Sequence, residues 1–355
     1  MKQRRGVFAL FILVMFASSM AVFAQKDDKK KEELQKRESQ SVIKIVDDMA
    51  AGQPAPNDFS ITWLRDDVLK AQGNKEYVPF TVSIDPGKAT GNLAFYWRVV
   101  SKNPAAPAAE APAAKKDDKK DDKKDAKKPS PYAYEDISFV PVTAGQNPLR
   151  ISRSFTVPGG AYDVFVVVKE PAPEKPQKNA PPPKMSVLKQ AMTVPDFWND
   201  ELATSTVMLA ARIDPLPAPL TPQQQADRPY AMGMMEIVPA FDTKLSKKSE
   251  LSTFMLIYNP KRDAANKPDI KVEYNFYQKL AGQPEKFFNK TNPQSLNAQT
   301  LPPNFDFAAG HQLQSGQAVP LASFPEGDYR LEIKVTDQIA NKSLTREVNF
   351  TVSPS

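Results

Sequence analysis

Apolar and polar residues alternate with period two in "YRLEIKV". Tyr329, Leu331, Ile333 and Val335 fall on one side, and Arg330, Glu332 and Lys334 on the other. A strand that is apolar on one side predicts an antiparallel sheet packed against a second sheet. Strand-like runs of this kind fill the chain. They include "FSITWL", "YVPFTVSI", "LAFYWRVV", "DISFVPV", "RISRSFTV" and "YDVFVVVK", then "STVMLAARI", "AMGMMEIVPA", "STFMLIYNP", "IKVEYNFYQKL" and "SLTREVNFTV". "YDVFVVVK" breaks the rule, because Phe165 and Val167 share its outward side with Asp163 and Lys169. A strand apolar on both sides needs a second cover. Residues 41–50, the stretch 205–213 or a partner could supply it, and we expect the cover to come from within the chain. In "SVIKIVDDMA", apolar residues at 42, 43, 45, 46 and 49 predict a short amphipathic helix that "GQPAPND" ends.

The strand runs fall into two sets in the same order. "FTVSIDP" answers "FMLIYNP", and "LAFYWRVV" answers "IKVEYNFY". "FTVPGGAYDVFVVVKE" answers "ASFPEGDYRLEIKVTD", and "QAMTVPD" answers "EVNFTVSP". Pro260 lies 260 − 86 = 174 positions after Pro86, and Tyr329 lies 329 − 162 = 167 after Tyr162. A drift of that size is what differing loop lengths produce in a duplicated module. Gly160 and Gly327 precede the repeated tyrosines, where a chain turning a corner needs backbone freedom. Each tyrosine is placed to bury its ring and return its hydroxyl to nearby backbone, as in the tyrosine corner of Greek-key sandwiches.

The segment "FPEGDYRLEIKVTDQIANKSLTREVNFTV" (324–352) resembles the last two strands of a bacterial immunoglobulin-like repeat. The likeness lies in Pro-x-Gly-x-Tyr, an alternating strand, Thr-Asp, a turn bracketed by Asp337 and Asn341, and a closing Phe-Thr-Val. The first copy departs from it. A Pro-rich insert replaces its turn, and Glu170 stands where Asp337 does. The resemblance implies an architectural or adhesive role. The expected fold is all-β, with two tandem immunoglobulin-like β-sandwiches, a short N-terminal helix and disordered inserts. The expected layout is a signal peptide (1–24), a charged lead-in with the helix (25–58) and a first sandwich (59–213) interrupted at 103–132 and 170–184. A linker (214–229) and a second sandwich (230–355) follow.

Charge and composition narrow the setting. Lys2, Arg4 and Arg5 precede the apolar run 7–14, and Val22-Phe23-Ala24 suits cleavage before Gln25, the pattern of an export signal. No later segment is long and apolar enough to span a bilayer, so no transmembrane domain is expected in the mature chain. Removing the leader's three basic residues lowers the net charge from +6 to 6 − 3 = +3, which argues against nucleic acid. With no Cys there is neither a disulfide nor a lipid-bearing cysteine, which suits an exported bacterial protein held together by burial.

Chemistry is sparse. The single His, His311, sits in "AAGHQLQSG" and reads as surface or structural, since a zinc site wants several His or Cys ligands. No nucleophile motif or phosphate loop is present. The adjacent carboxylates Asp66-Asp67 and Asp200-Glu201 read as solvated. A hydrolase using carboxylates would need two of them about 5–10 Å apart across a cleft. We therefore expect neither enzymatic activity nor a cofactor. The run "KKDDKKDDKKDAKK", with eight Lys and five Asp, reads as a solvated loop. Phe287, Phe288, Phe305 and Phe307 punctuate a long Asn-, Gln- and Pro-rich stretch and are the candidate ligand loop. The plainer reading is that they pin that stretch to the sandwich. Tyr162 and Tyr329 read as fold residues. The expected function is a structural or protein-interaction module of the cell envelope. The alternative is a glycan-binding module using the four Phe. The partner would be an envelope protein or a cell-wall glycan.

Overall fold

A computed structural model describes residues 33, 36–87, 91–103, 132–143, 145, 147–171 and 181–354. The expected signal peptide, the Lys/Asp run and most of both inserts lie outside the described residues. Strands hold 54% of the chain and helices little, so the fold is all-β. Among the described residues no helix is long and apolar enough to cross a membrane.

Helix α1 covers residues 36–50. It is followed by β1 (Ser60–Asp66), β2 (Leu69–Lys70), β3 (Glu76–Asp85), β4 (Gly91–Ser101), β5 (Tyr134–Val142), β6 (Leu149–Val157), β7 (Gly160–Lys169) and β8 (Met185–Val194). These strands make two sheets. The first has the order β5-β4-β7-β8, and in the second β3 is flanked by β1 and β2 and also pairs with β6. Val78, Phe80, Val82 and Ile84 of β3 are fully buried in one cluster with Leu93, Phe95, Trp97 and Val99 of β4. The period-two faces of both sheets thus meet in one core.

The outer face of the first sheet is apolar too, and α1 covers it. Val42 and Val46 pack with Ala94, Tyr96 and Val167, bordered by Phe165 and Val187. The expected intramolecular cover of Phe165 and Val167 is therefore the N-terminal helix. Charge fixes the docking. Arg98, 2% exposed, pairs with Asp47 of α1 at 2.7 Å and donates to the Tyr96 hydroxyl. Buried Lys169 is bonded to Glu38 of the same helix. A cation left unpaired at such depth would cost several kcal/mol, on the order of 3–5, so helix and sheet depend on each other.

The second half holds β9 (Ala203–Thr204), β10 (Met208–Pro215), a short helix α2 (Pro222–Asp227), β11 (Ala231–Met232), β12 (Met235–Pro239), β13 (Lys244–Ser246) and β14 (Glu250–Tyr258). Beyond them lie β15 (Ile270–Lys279), β16 (Lys286–Lys290), β17 (Gln294–Leu296), β18 (Leu313–Pro320), β19 (Gly327–Asp337) and β20 (Lys342–Ser353). The third sheet has the order β11-β12-β10-β14-β18, with β9 also on β14. The fourth has the order β13-β20-β19-β15-β16, with β17 also on β15.

The halves share one pairing pattern. β1 pairs with β3, β3 with β6, β4 with β7 and β7 with β8. Correspondingly, β10 pairs with β14, β14 with β18, β15 with β19 and β19 with β20. This moves one boundary. The sequence places 205–213 in the first unit and a linker at 214–229, but β10 is hydrogen-bonded to β12 and β14. The Pro-rich stretch is an excursion through α2 that returns to β10 through β12. An alternating run shows which face is buried and carries no record of its pairing partner.

The third sheet is buried on both faces. Phe254, Leu256 and Tyr258 of β14 join the first core cluster, while Leu251, Met255 and Ile257 join the second, with Tyr274, Phe276, Leu331 and Ile333. Polar bonds cross the same boundary. Asp67, expected in solvent, is fully buried and held by Arg65 at 2.7 Å. Arg65 also donates to the carbonyls of Leu209 and Ala240. The Val68 amide donates to the Thr206 hydroxyl at 2.6 Å.

Candidate ligand cleft

The repeated phrase folds in the same way twice. Tyr162 and Tyr329 are buried, and each hydroxyl donates at 2.8 Å to a proline carbonyl four residues upstream, Pro158 and Pro325. Gly327 has φ +138°, a backbone state that a side chain resists. Asp337 binds the turn after β19, its carboxylate accepting from the amides of Lys261, Ile339 and Ala340. In the first half Glu170 accepts from the Lys184 amide. Both acids therefore close a chain reversal.

The four Phe of the candidate loop are not brought together. Phe305 is buried, and its ring lies 5.0 Å edge-on from Phe307. Phe288 packs against Phe324 and Tyr329 at 4.8 and 5.5 Å, at the margin of the second core. Phe287 alone points outward, 50% exposed, beside Tyr277.

Phe307 instead lines a cleft of about 380 Å³ between the halves. One wall comes from the turn after β2 (Lys70, Ala71, Gln72) and from Trp198. The other comes from the end of β14 and the loop holding Phe307, His311 and Gln312. Asn259 ties the walls together. It takes the left-handed backbone state (φ +55°), accepts from the Lys70 ammonium at 2.8 Å, and donates to the carbonyls of Phe197 and Glu201. The Tyr258 hydroxyl accepts from the Lys70 amide at 3.0 Å.

Trp198 is held without being buried. Its indole N–H donates to the Lys75 carbonyl, its amide donates to Asp196, and it remains 38% exposed. The Lys70 ammonium lies 4.2 Å from the indole ring. Partial burial pushes the Lys70 amine below its usual range. The Arg262 guanidinium sits 5.4 Å from the Phe307 ring. His311 accepts from the Asp306 amide through Nδ1, so its Nε2 carries the proton when the ring is neutral. A second depression of about 450 Å³ adjoins the first through the shared Asn259, Pro260 and Arg262, and adds Asp200, Lys261 and Asp337. Among the described residues no group of acids and His could hold a metal ion.

Sequence reasoning missed Trp198 and Lys70. The available signal was a Trp in "PDFWND", outside any alternating run and among turn-forming residues.

No family model matches the chain, and no curated relative matches it. Among solved structures, trypsin-activated alpha-2-macroglobulin from Escherichia coli aligns at TM-score 0.22 and 11% identity, over 85% of this chain and 17% of that one. Salmonella alpha-2-macroglobulin reacted with methylamine aligns at TM-score 0.22 and 13% identity, with the same coverage. The chain spans about 17% of the length of these proteins. Superposition this loose assigns neither fold nor activity to the chain.

Proposed function

We propose that the chain is a non-enzymatic, exported module of the bacterial cell envelope, built from two tandem immunoglobulin-like sandwiches. In this reading it acts as a structural or protein-interaction element. One observation carries the proposal: β14 contributes alternate side chains to two cores, which suits a rigid body holding partners at fixed positions. Duplication is supported by the matched pairing order and by the two tyrosine corners. Export is supported by the leader pattern in residues 1–24 and by the missing Cys.

The test is expression of the full chain in a bacterial host, followed by fractionation, N-terminal sequencing and crosslinking in intact cells. The expected product begins at Gln25, lies in the envelope fraction and crosslinks to a discrete envelope component. A cytosolic chain that keeps residues 1–24 would overturn the reading. A second reading, glycan binding, is favoured by a specific feature, the immobilised and exposed Trp198 ring on the inter-half cleft. In that reading the binding surface moves from the four Phe to the cleft, and only Phe307 is kept.

A further inference from the structure

We infer that the cleft between Trp198 and Phe307 binds a carboxylate-bearing polysaccharide. The inference rests on the glycan-binding reading and names its substrate class. Three features of the cleft support it.

The first is the fixed aromatic face. An exposed Trp on a loop would ordinarily swing, but the indole N–H bond to Lys75 and the amide bond to Asp196 lock this one. A preset flat ring loses little freedom on binding. The C–H face of a pyranose covers such a ring without needing a deep apolar pocket, and the cleft is open to solvent.

The second is unspent positive charge. Lys70 and Arg262 line the cleft, and no carboxylate does. Several surface cations elsewhere are spent on carboxylates. Arg330 meets Glu285, Glu332 and Glu347, and Lys342 meets Glu201. Lys70 instead binds the neutral Asn259, and Arg262 binds the neutral Asn266 at 3.0 Å. Neither makes a salt bridge among the described residues. A guanidinium with free N–H groups suits a planar carboxylate, and the partly desolvated Lys70 gains from meeting an anion. Gln72 and Gln312 add amide groups, which both donate and accept, as sugar hydroxyls require.

The third is length. Arg262 stands where the two depressions meet, so a chain seated on Trp198 runs past it into a region lined by Lys261 and Asp200. That region sets Lys261, Arg262 and Lys342 beside the carboxylates of Asp200 and Asp337, and the Asp337 carboxylate is bound by three backbone amides. An extended acidic chain fits this course better than a compact ligand.

The experiment is titration calorimetry of the full chain with polygalacturonate, alginate and hyaluronan. Methyl-esterified polygalacturonate, dextran and poly-glutamate serve as comparisons. The expected result is binding to at least one acidic polysaccharide that weakens tenfold or more on esterification and with rising salt. Trp198→Ala and Arg262→Ala should each weaken it tenfold or more. Trp198→Phe should keep most of it, and Phe287→Ala should leave it unchanged. Circular dichroism melts of each variant check the fold. Equal binding by wild type and Trp198→Ala would refute the cleft while leaving glycan binding intact. Equal binding of the methyl ester would refute the acidic class. Trp198-dependent binding of poly-glutamate alone would make the ligand an acidic peptide and overturn the proposal. Binding of no polysaccharide would overturn the glycan reading with it.

Discussion

If β14 belongs to two cores, damage to one core must be felt in the other. Met255→Ala tests this. Met255 is 1% exposed and lies in the second cluster, facing away from the first. Truncating a buried Met to Ala costs about 2–5 kcal/mol through lost burial and the cavity left behind. The lower end of that range moves a melting midpoint by about 3 °C in a body of this size. Of the three Trp, 63 and 97 lie in the first half, and Trp198 in the crossing segment is bonded to the Lys75 carbonyl of that half, so their fluorescence reports on it. Far-ultraviolet circular dichroism reports on both. In the Met255→Ala protein the two probes should shift together and keep one coincident transition. Leu256→Ala, on the opposite face of the same strand, should do the same. A fluorescence midpoint left in place by Met255→Ala, with a biphasic dichroism curve, would refute the shared-sheet argument.

Three further outcomes are expected. Tyr329→Phe and Tyr162→Phe should each lose about 1 kcal/mol in urea titration, because each removes one buried hydrogen bond; unchanged stability with lost binding would make them site residues. Gly316→Ala should destabilise by about 1–3 kcal/mol, since a Cβ there would sit 2.4 Å from the Thr253 carbonyl oxygen; a neutral effect in the same titration would show that the β14–β18 pair yields easily. Glu76 is fully buried, with one oxygen accepting from the Phe197 amide and the other unpartnered, and burial raises its pKa. Because the folded pKa lies above the unfolded one, its protonated form favours the fold at low pH. That advantage fades as pH rises through the folded value. Glu76→Gln should flatten this fall in a stability profile from acid to neutral pH, and a slope equal to wild type would count against the assignment.

Much of this architecture was legible in the chain because it is written in local periodicity. Alternation in 329–335 marked the strand and its buried side. The surplus apolar residues Phe165 and Val167 announced a missing cover. The helical spacing at 42, 43, 45, 46 and 49 marked the helix that supplies it. What escaped was non-local. The pairing of β10 with β14 joins strands that no periodic signal connects. Prolines at 215, 217 and 219 suggested a joint where the chain makes an excursion. The cleft escaped for the same reason. Lys70 and Asn259 meet across 189 positions, and the value of Trp198 depends on neighbours from three segments. Asp67 read as solvated because an Asp-Asp pair usually is, while its partner Arg65 sits two residues earlier. The four Phe could be recognised as anchors or platforms only once their neighbours were known.

The joint itself has a mechanical consequence. Between the end of β8 at Val194 and the start of β9 at Ala203 the chain is stapled to both halves. The Phe197 amide is held by Glu76 on one side, and the Phe197 and Glu201 carbonyls by Asn259 on the other. A crossing fastened in this way leaves no swivel. If the proposed structural role holds, tension applied along the molecule would be carried by sheet against sheet and not by a slack tether.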